Sequence, residues 1–260
     1  MVYIDENTKQ KIKKIKLNST YFLINFENVI TDNNCSDTWN AITNNIKVKK
    51  SFTKKIEELR FKCISIELNN NLSFDEKCEA TECVWKEIIE LFRELNIDEN
   101  KIKRFIGCKS NIRIRDGVKN FLKVANEKKI PVIIISDGIF EIIKYFLSYN
   151  NCNYDNITIL ANNIFASTET NKIIHPLNKN ELSVSDDIIS EIKDRKVSIL
   201  LASSINDINM LSKAKLNNSI KIAFLDQNIN ENFDIFLNYF NIICTHNTSL
   251  DLIANKFKNM

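Results

Sequence analysis

The chain has 260 residues, an apolar content of 44% and a net charge of +3 from 36 basic and 33 acidic side chains, a composition that suits one globular core with an insertion. The charge is dispersed rather than gathered on the basic face that nucleic-acid binding requires, and no run approaches the ~20 apolar residues of a membrane span. With only three glycines there is no GxGxxG or GxxxxGK[ST] loop, which excludes P-loop, kinase-like and dinucleotide-binding classes.

Residues 1–20 read as a polar leader. They lack the apolar centre of a signal peptide, and the locally basic stretch from Lys9 to Lys16 has the pattern of a solvated face. A cytoplasmic monomer with no membrane or nucleic-acid partner is the expectation. The run Tyr21 to Ile24 is short, apolar and bounded by polar residues, as a buried strand is. From Asp37 to Phe105 the texture is helical. Ser73 and Glu76 have capping-box spacing, and Val84, Trp85, Ile88, Ile89, Phe92 and Leu95 follow at the i, i+3, i+4 period.

After Gly117 the elements alternate. A helix over Val118 to Glu127 leads to a strand over Val132 to Ile135, a helix over Ile139 to Tyr149 and a strand over Ile157 to Leu160. A strand follows over Val197 to Leu201, then a helix over Asp207 to Lys213 with Asp207 as a candidate N-cap. Strands near Ile220 to Phe224 and Ile242 to Cys244, and a helix from Ser249, complete the chain. Alternation of this kind predicts an α/β fold, a doubly wound, Rossmann-like parallel sheet. Residues 21–36 and 106–260 form its core, and residues 37–105 an inserted helical cap.

The seven cysteines (35, 63, 78, 83, 108, 152 and 244) have no zinc-site spacing and are expected as buried, reduced thiols. His175 and His246 lack partners at any recognisable spacing and read as structural. In doubly wound sheets ligands bind beyond the carboxyl ends of the strands. The residues there are Asn25 to Thr31, Ser136 to Gly138 and Ala202 to Asp207, with Lys179 nearby.

Taken in order, these four positions resemble the four motifs of the haloacid dehalogenase superfamily, and within it the cytosolic pyrimidine 5′-nucleotidase family. The likeness runs from about Tyr21 to Phe257. It includes the cap phrase from Leu72 to Lys77, the Arg115-Asp116-Gly117 turn, the run from Pro131 to Gly138, Leu177 to Lys179, and Ile199 to Asp207. The resemblance implies phosphoryl transfer. An Asp after the first strand attacks phosphorus and a second Asp two residues on acts as acid and base. Mg²⁺ sits among carboxylate oxygens, while a Ser or Thr and a Lys hold the phosphoryl oxygens.

Here the nucleophile position holds Asn25, the acid/base position Glu27, and the position of the following Thr is Val29. The metal-binding Asp of the last motif is Ser203, leaving Asp207. Ser136, Gly138 and Lys179 match the phosphate-holding groups, although Asp137 puts a carboxylate beside them. Glu76 matches a cap residue that the resemblance assigns to base recognition. The expected function is therefore a catalytically inactive, 5′-nucleotidase-like binding or regulatory protein, with no cofactor, weak pyrimidine nucleotide or phosphate binding, and an unidentified protein partner. The alternative is an active, rewired phosphatase that uses Glu27 and Asp207 with Mg²⁺.

Overall fold

A computed structural model of the chain describes residues 1–108, 111–167, 172–183 and 185–258. The elements run β1 (Val2–Ile4), α1 (Glu6–Lys13), β2 (Thr20–Ile24), α2 (Thr38–Asn45), α3 (Lys50–Leu68), α4 (Phe74–Glu94), α5 (Glu99–Cys108) and α6 (Val118–Glu127). They continue with β3 (Val132–Ile139), α7 (Phe140–Tyr149), β4 (Ile157–Asn162), α8 (Asp186–Ile192), β5 (Val197–Ala202), β6 (Ile220–Leu225), α9 (Ile229–Leu237), β7 (Ile242–Thr245) and α10 (Asp251–Lys258).

Seven strands form one sheet in the order β1-β7-β6-β5-β2-β3-β4. All neighbours pair in parallel except β1 with β7. Every residue of β2 is buried, as expected where helices cover both faces of a parallel sheet. Strand alternation divides the core. Phe22, Ile24, Val132, Ile134, Ile199 and Leu201 face one layer, while Tyr21, Leu23, Ile133, Ile135 and Leu200 face the other. The chain switches direction around β2, which lies between β3 and β5, so a crevice opens at their carboxyl ends.

Four helices, α2 to α5, are inserted between β2 and α6. Trp39 holds them together, with its ring 4.9 Å from Phe92 and 5.5 Å from Trp85, both edge-on. Their apolar residues belong to the same continuous cluster as one face of the sheet, and α5 packs along α7. The Ser73–Glu76 capping box forms as the spacing predicts. Gly117 is obligatory: its φ is +78°, and a Cβ there would lie 2.3 Å from the Asp251 backbone nitrogen. No described helix is long and apolar enough to cross a membrane.

Two expectations are corrected. Residues 1–20 are not a solvated leader: Val2 and Ile4 pair antiparallel with Cys244 and Ile242, and Asp5 caps α1 by accepting from the Thr8 nitrogen at 2.8 Å. A strand of three residues, of which only Val2 and Ile4 face inward, is too short to show a period, and its partner strand lies at the other end of the chain. The predicted helix over Asp207 to Lys213 is a 3-10 turn over Ile205–Met210, and Asp207 is its third residue, bonded to the true cap, Ser204. Among the cysteines, Cys63, Cys152 and Cys244 are buried, Cys35 and Cys78 half-buried and Cys83 exposed, all as free thiols. The Cys108 side chain lies outside the described side chains.

Candidate functional site

The crevice gathers Asn25 and Glu27 after β2, Ser136 to Gly138 at the carboxyl end of β3, Lys179, and Ser203 and Asp207 after β5. The loop after β2 is pinned from behind by Arg115. Its guanidinium donates to the carbonyls of Asn28 (2.5 Å) and Val29 (3.1 Å) and pairs with Asp226 at 2.7 Å, entirely out of solvent. Bonds to a charged donor are the strong kind, and they hold Asn28 in a left-handed conformation at φ 60°.

On one side of the crevice the groups are neutral. The Asn25 amide nitrogen donates to the Ser203 hydroxyl (2.9 Å) and to the Glu27 carbonyl (3.0 Å), and the Ser203 hydroxyl donates to that same carbonyl at 3.1 Å. The amide orientation follows from its partners, since a carbonyl only accepts and the Lys179 ammonium, 3.3 Å from the Asn25 carbonyl oxygen, only donates. The triangle has sides close to the ~2.9 Å edge of a magnesium octahedron with bonds of about 2.0–2.1 Å. One corner, however, is an N–H donor, and the other two are neutral oxygens. This set does not fit Mg²⁺, which needs oxygen lone pairs directed inward and carboxylate charge. Among the described residues no group of three or more His, Cys, Asp or Glu could hold a metal.

On the other side the groups are ionic. The Lys179 ammonium is buried, 2.5 Å from Asp137 and 3.5 Å from Asp207. Burial alone would lower its pKa, but the two carboxylates outweigh that and hold it above the ordinary lysine value. Asp207 is buried as well, and its second oxygen accepts from the backbone nitrogens of Ser203 (2.9 Å) and Ser204 (3.0 Å).

Glu27 stands between the two sides. Its carboxylate accepts from the Ser136 hydroxyl at 2.8 Å and from the Thr38 hydroxyl at 3.2 Å. Burial and the nearby Asp137 push its pKa up to about 7, against the Ser136 bond and the Lys179 charge. A Cβ on Gly138 would stand 2.6 Å from a Glu27 carboxylate oxygen and 2.4 Å from the Thr38 hydroxyl. The extra methylene of Glu27 thus carries its carboxylate to the end of β3, onto the Ser136 hydroxyl that the resemblance gives to phosphate.

The structure therefore brings Asn25, Glu27, Ser136, Gly138, Lys179, Ser203 and Asp207 together. Glu76 is engaged elsewhere. It is exposed, and its carboxylate turns back on the Ser73 hydroxyl (2.7 Å) and nitrogen (2.8 Å) at the start of α4. Sequence reasoning missed Thr38 and Trp39, the first residues of α2. Trp39 donates its indole N–H to the Asp137 carbonyl at 3.2 Å. The N-cap aspartate before Thr38 was the available signal, but nothing local says that this helix end faces β3. His175 is fully buried, with neither ring nitrogen hydrogen-bonded. Burial lowers its pKa to about 4, so the ring is neutral.

The chain matches the model of the pyrimidine 5′-nucleotidase (UMPH-1) family over residues 23–260. A mouse 7-methylguanosine phosphate-specific 5′-nucleotidase is 23% identical over 234 residues, 87% of this chain and 78% of that one. The A form of the same enzyme from Xenopus laevis is 24% identical over 227 residues, 84% of this chain and 78% of its own. In three dimensions the chain resembles cytosolic 5′-nucleotidase IIIB bound to cytidine (TM-score 0.80, 16% identity, 99% of this chain and 94% of that one). It also resembles a phosphoserine phosphohydrolase-like protein from Francisella tularensis (TM-score 0.54, 17% identity, 91% of this chain and 99% of that one). With an inserted helical block, a parallel sheet and a crevice at its switch point, the chain belongs to the pyrimidine 5′-nucleotidase family on the haloacid dehalogenase fold.

Proposed function

We propose that this protein is a catalytically inactive member of its family, a cytoplasmic, monomeric binding or regulatory protein that needs no metal. The carrying observation is the Asn25 amide, which donates to Ser203 and to the Glu27 carbonyl where the resemblance calls for a nucleophilic carboxylate beside a cation. A neutral amide is a far poorer nucleophile than a carboxylate. Loss of the nucleophile or the Lewis acid each removes several kcal/mol of transition-state stabilisation, on the order of powers of ten in rate. The groups matched to phosphate are also engaged internally, Ser136 by Glu27 and Lys179 by Asp137 and Asp207. Phosphate or a pyrimidine nucleotide is thus a weak ligand that must displace these contacts, and Glu76 must leave its helix cap to meet a base.

One observation favours activity instead. The Glu27 carboxyl, with its pKa near 7, is tuned as general acids are. Phosphate release from cytidine monophosphate and from 7-methylguanosine monophosphate, measured with Mg²⁺, decides between the readings. Background rates, the same in wild type and Glu27→Ala, are expected. Turnover in the wild type that Glu27→Ala abolishes would establish the rewired enzyme.

A further inference from the structure

Toward the amino ends of β6 and β7, on the side of the sheet away from α8 and α9, lies a cavity of about 310 Å³. Its floor is Ile220, Ile222 and Ile242, all buried. Leu252 and Phe257 of α10 make one wall. The roof is α1 and the turn that follows it, which contribute Ile12 and, just past the helix end, Ile15. The cavity exists because α10 packs on α6 while no comparable packing joins it to α1. The roof lies outside residues 23–260, the span of the family match, so this cavity is no part of the family crevice. Its mouth is cationic. Lys9 and Lys13, one turn apart on α1, and Lys256 on α10 stand at the rim. Glu6 neutralises Lys9 at 2.8 Å, whereas among the described residues Lys13 and Lys256 form no ion pair.

We propose that this cavity binds a single-chain aliphatic carboxylate, with its chain over the isoleucine floor and its head group between Lys13 and Lys256. Small-molecule sites are concave, largely apolar and hold roughly 300–1,000 Å³, with a few polar groups to orient the ligand. At the lower end of that range the cavity suits one chain rather than a two-chain lipid. Floor and roof are aliphatic, with Phe257 in one wall the single aromatic side chain of the lining, so the surface suits an aliphatic chain. Two unpaired ammonium groups at the mouth favour an anionic over a cationic head.

Isothermal titration calorimetry of the full chain with decanoate, below its micellar concentration, tests the assignment. One saturable site is expected, with decyltrimethylammonium at least about tenfold weaker. Ile222→Trp, which fills the floor, should abolish binding. Lys13→Glu combined with Lys256→Glu changes only surface groups and should weaken decanoate about tenfold while leaving the thermal midpoint unchanged. No saturable heat with decanoate, equal affinity for the two head groups, or unchanged binding in the charge-reversed variant would each overturn the proposal. Sedimentation with phosphatidylglycerol vesicles in the absence of decanoate binding would overturn it too, marking the lysines as a membrane-facing patch.

Discussion

The two sides of the crevice are built from the same loops, yet they hold together differently. Around Asn25 and Ser203 the side chains are neutral: the two donate to one backbone carbonyl, and a third hydrogen bond joins them to each other. Around Lys179 the charges persist, and one ammonium is shared by Asp137 and Asp207. Neutral groups of matched shape can satisfy one another at little cost, because a typical hydrogen bond contributes only about 1 kcal/mol net. A buried charge has no such freedom, since removing its partner leaves it uncompensated. Acids near the metal position are thus replaceable in ones and twos, while the Lys179 cluster must stay or go as a unit.

The largest effect should come from breaking the ionic side. Lys179→Met leaves Asp137 and the fully buried Asp207 without their cation, and urea unfolding should show a loss of about 3–5 kcal/mol. A loss below about 1 kcal/mol would mean that the two sides do not differ in the way described.

Restoring charge to the neutral side comes next. The double variant Asn25→Asp and Ser203→Asp replaces the donor triangle with two carboxylates and should lose about 2 kcal/mol in chelator. Mg²⁺ should raise its thermal midpoint and leave that of the wild type unmoved; an equal rise in both would show that the wild type already binds the ion. Groups that act as one unit are non-additive, so each single reversion should stay at background activity. Adding Glu27→Asp gives the smallest set expected to hydrolyse a small aryl phosphate.

Glu27, between the two sides, gives a smaller effect than the loss of Lys179, and the one with a pH signature. Its folded pKa, about 7, lies above its ordinary 4.5. The stability linked to its proton is therefore fully present below pH 4.5 and is lost as pH rises through about 7. The span is worth on the order of 2 kcal/mol. Glu27→Gln should remove this component, so that the stability difference between variant and wild type changes across pH 4.5–7. A difference that stays flat over that window would count against an enclosed Glu27 carboxyl. His175 works in the opposite direction in both proteins. Its lowered pKa costs stability as pH falls from 6.5 toward about 4, which is why the difference, not either curve, is the quantity to read.

What the sequence determined by itself is the family and the strands at the centre of the sheet, whereas β1, α1, α8 and α9 carried no readable signal. The apolar runs at Tyr21 to Ile24, Val132 to Ile135 and Val197 to Leu201 are local signals, and each strand lies where its run does. The chemistry-bearing residues then follow the strand ends, because a parallel sheet gathers its carboxyl ends on one edge. The tertiary structure alone decided the pairings between them. Whether Ser136 faces a phosphate or Glu27 depends on where the Glu27 carboxylate reaches and on the placement of α2, and whether Lys179 is free or shared depends on the approach of Asp137 and Asp207. These placements are set by packing between segments far apart in the chain. The same holds for the strand at Val2–Ile4 and for the cavity above β6 and β7. A three-residue strand carries no readable period, and its pairing with β7 forms only once the two chain ends have met across the sheet.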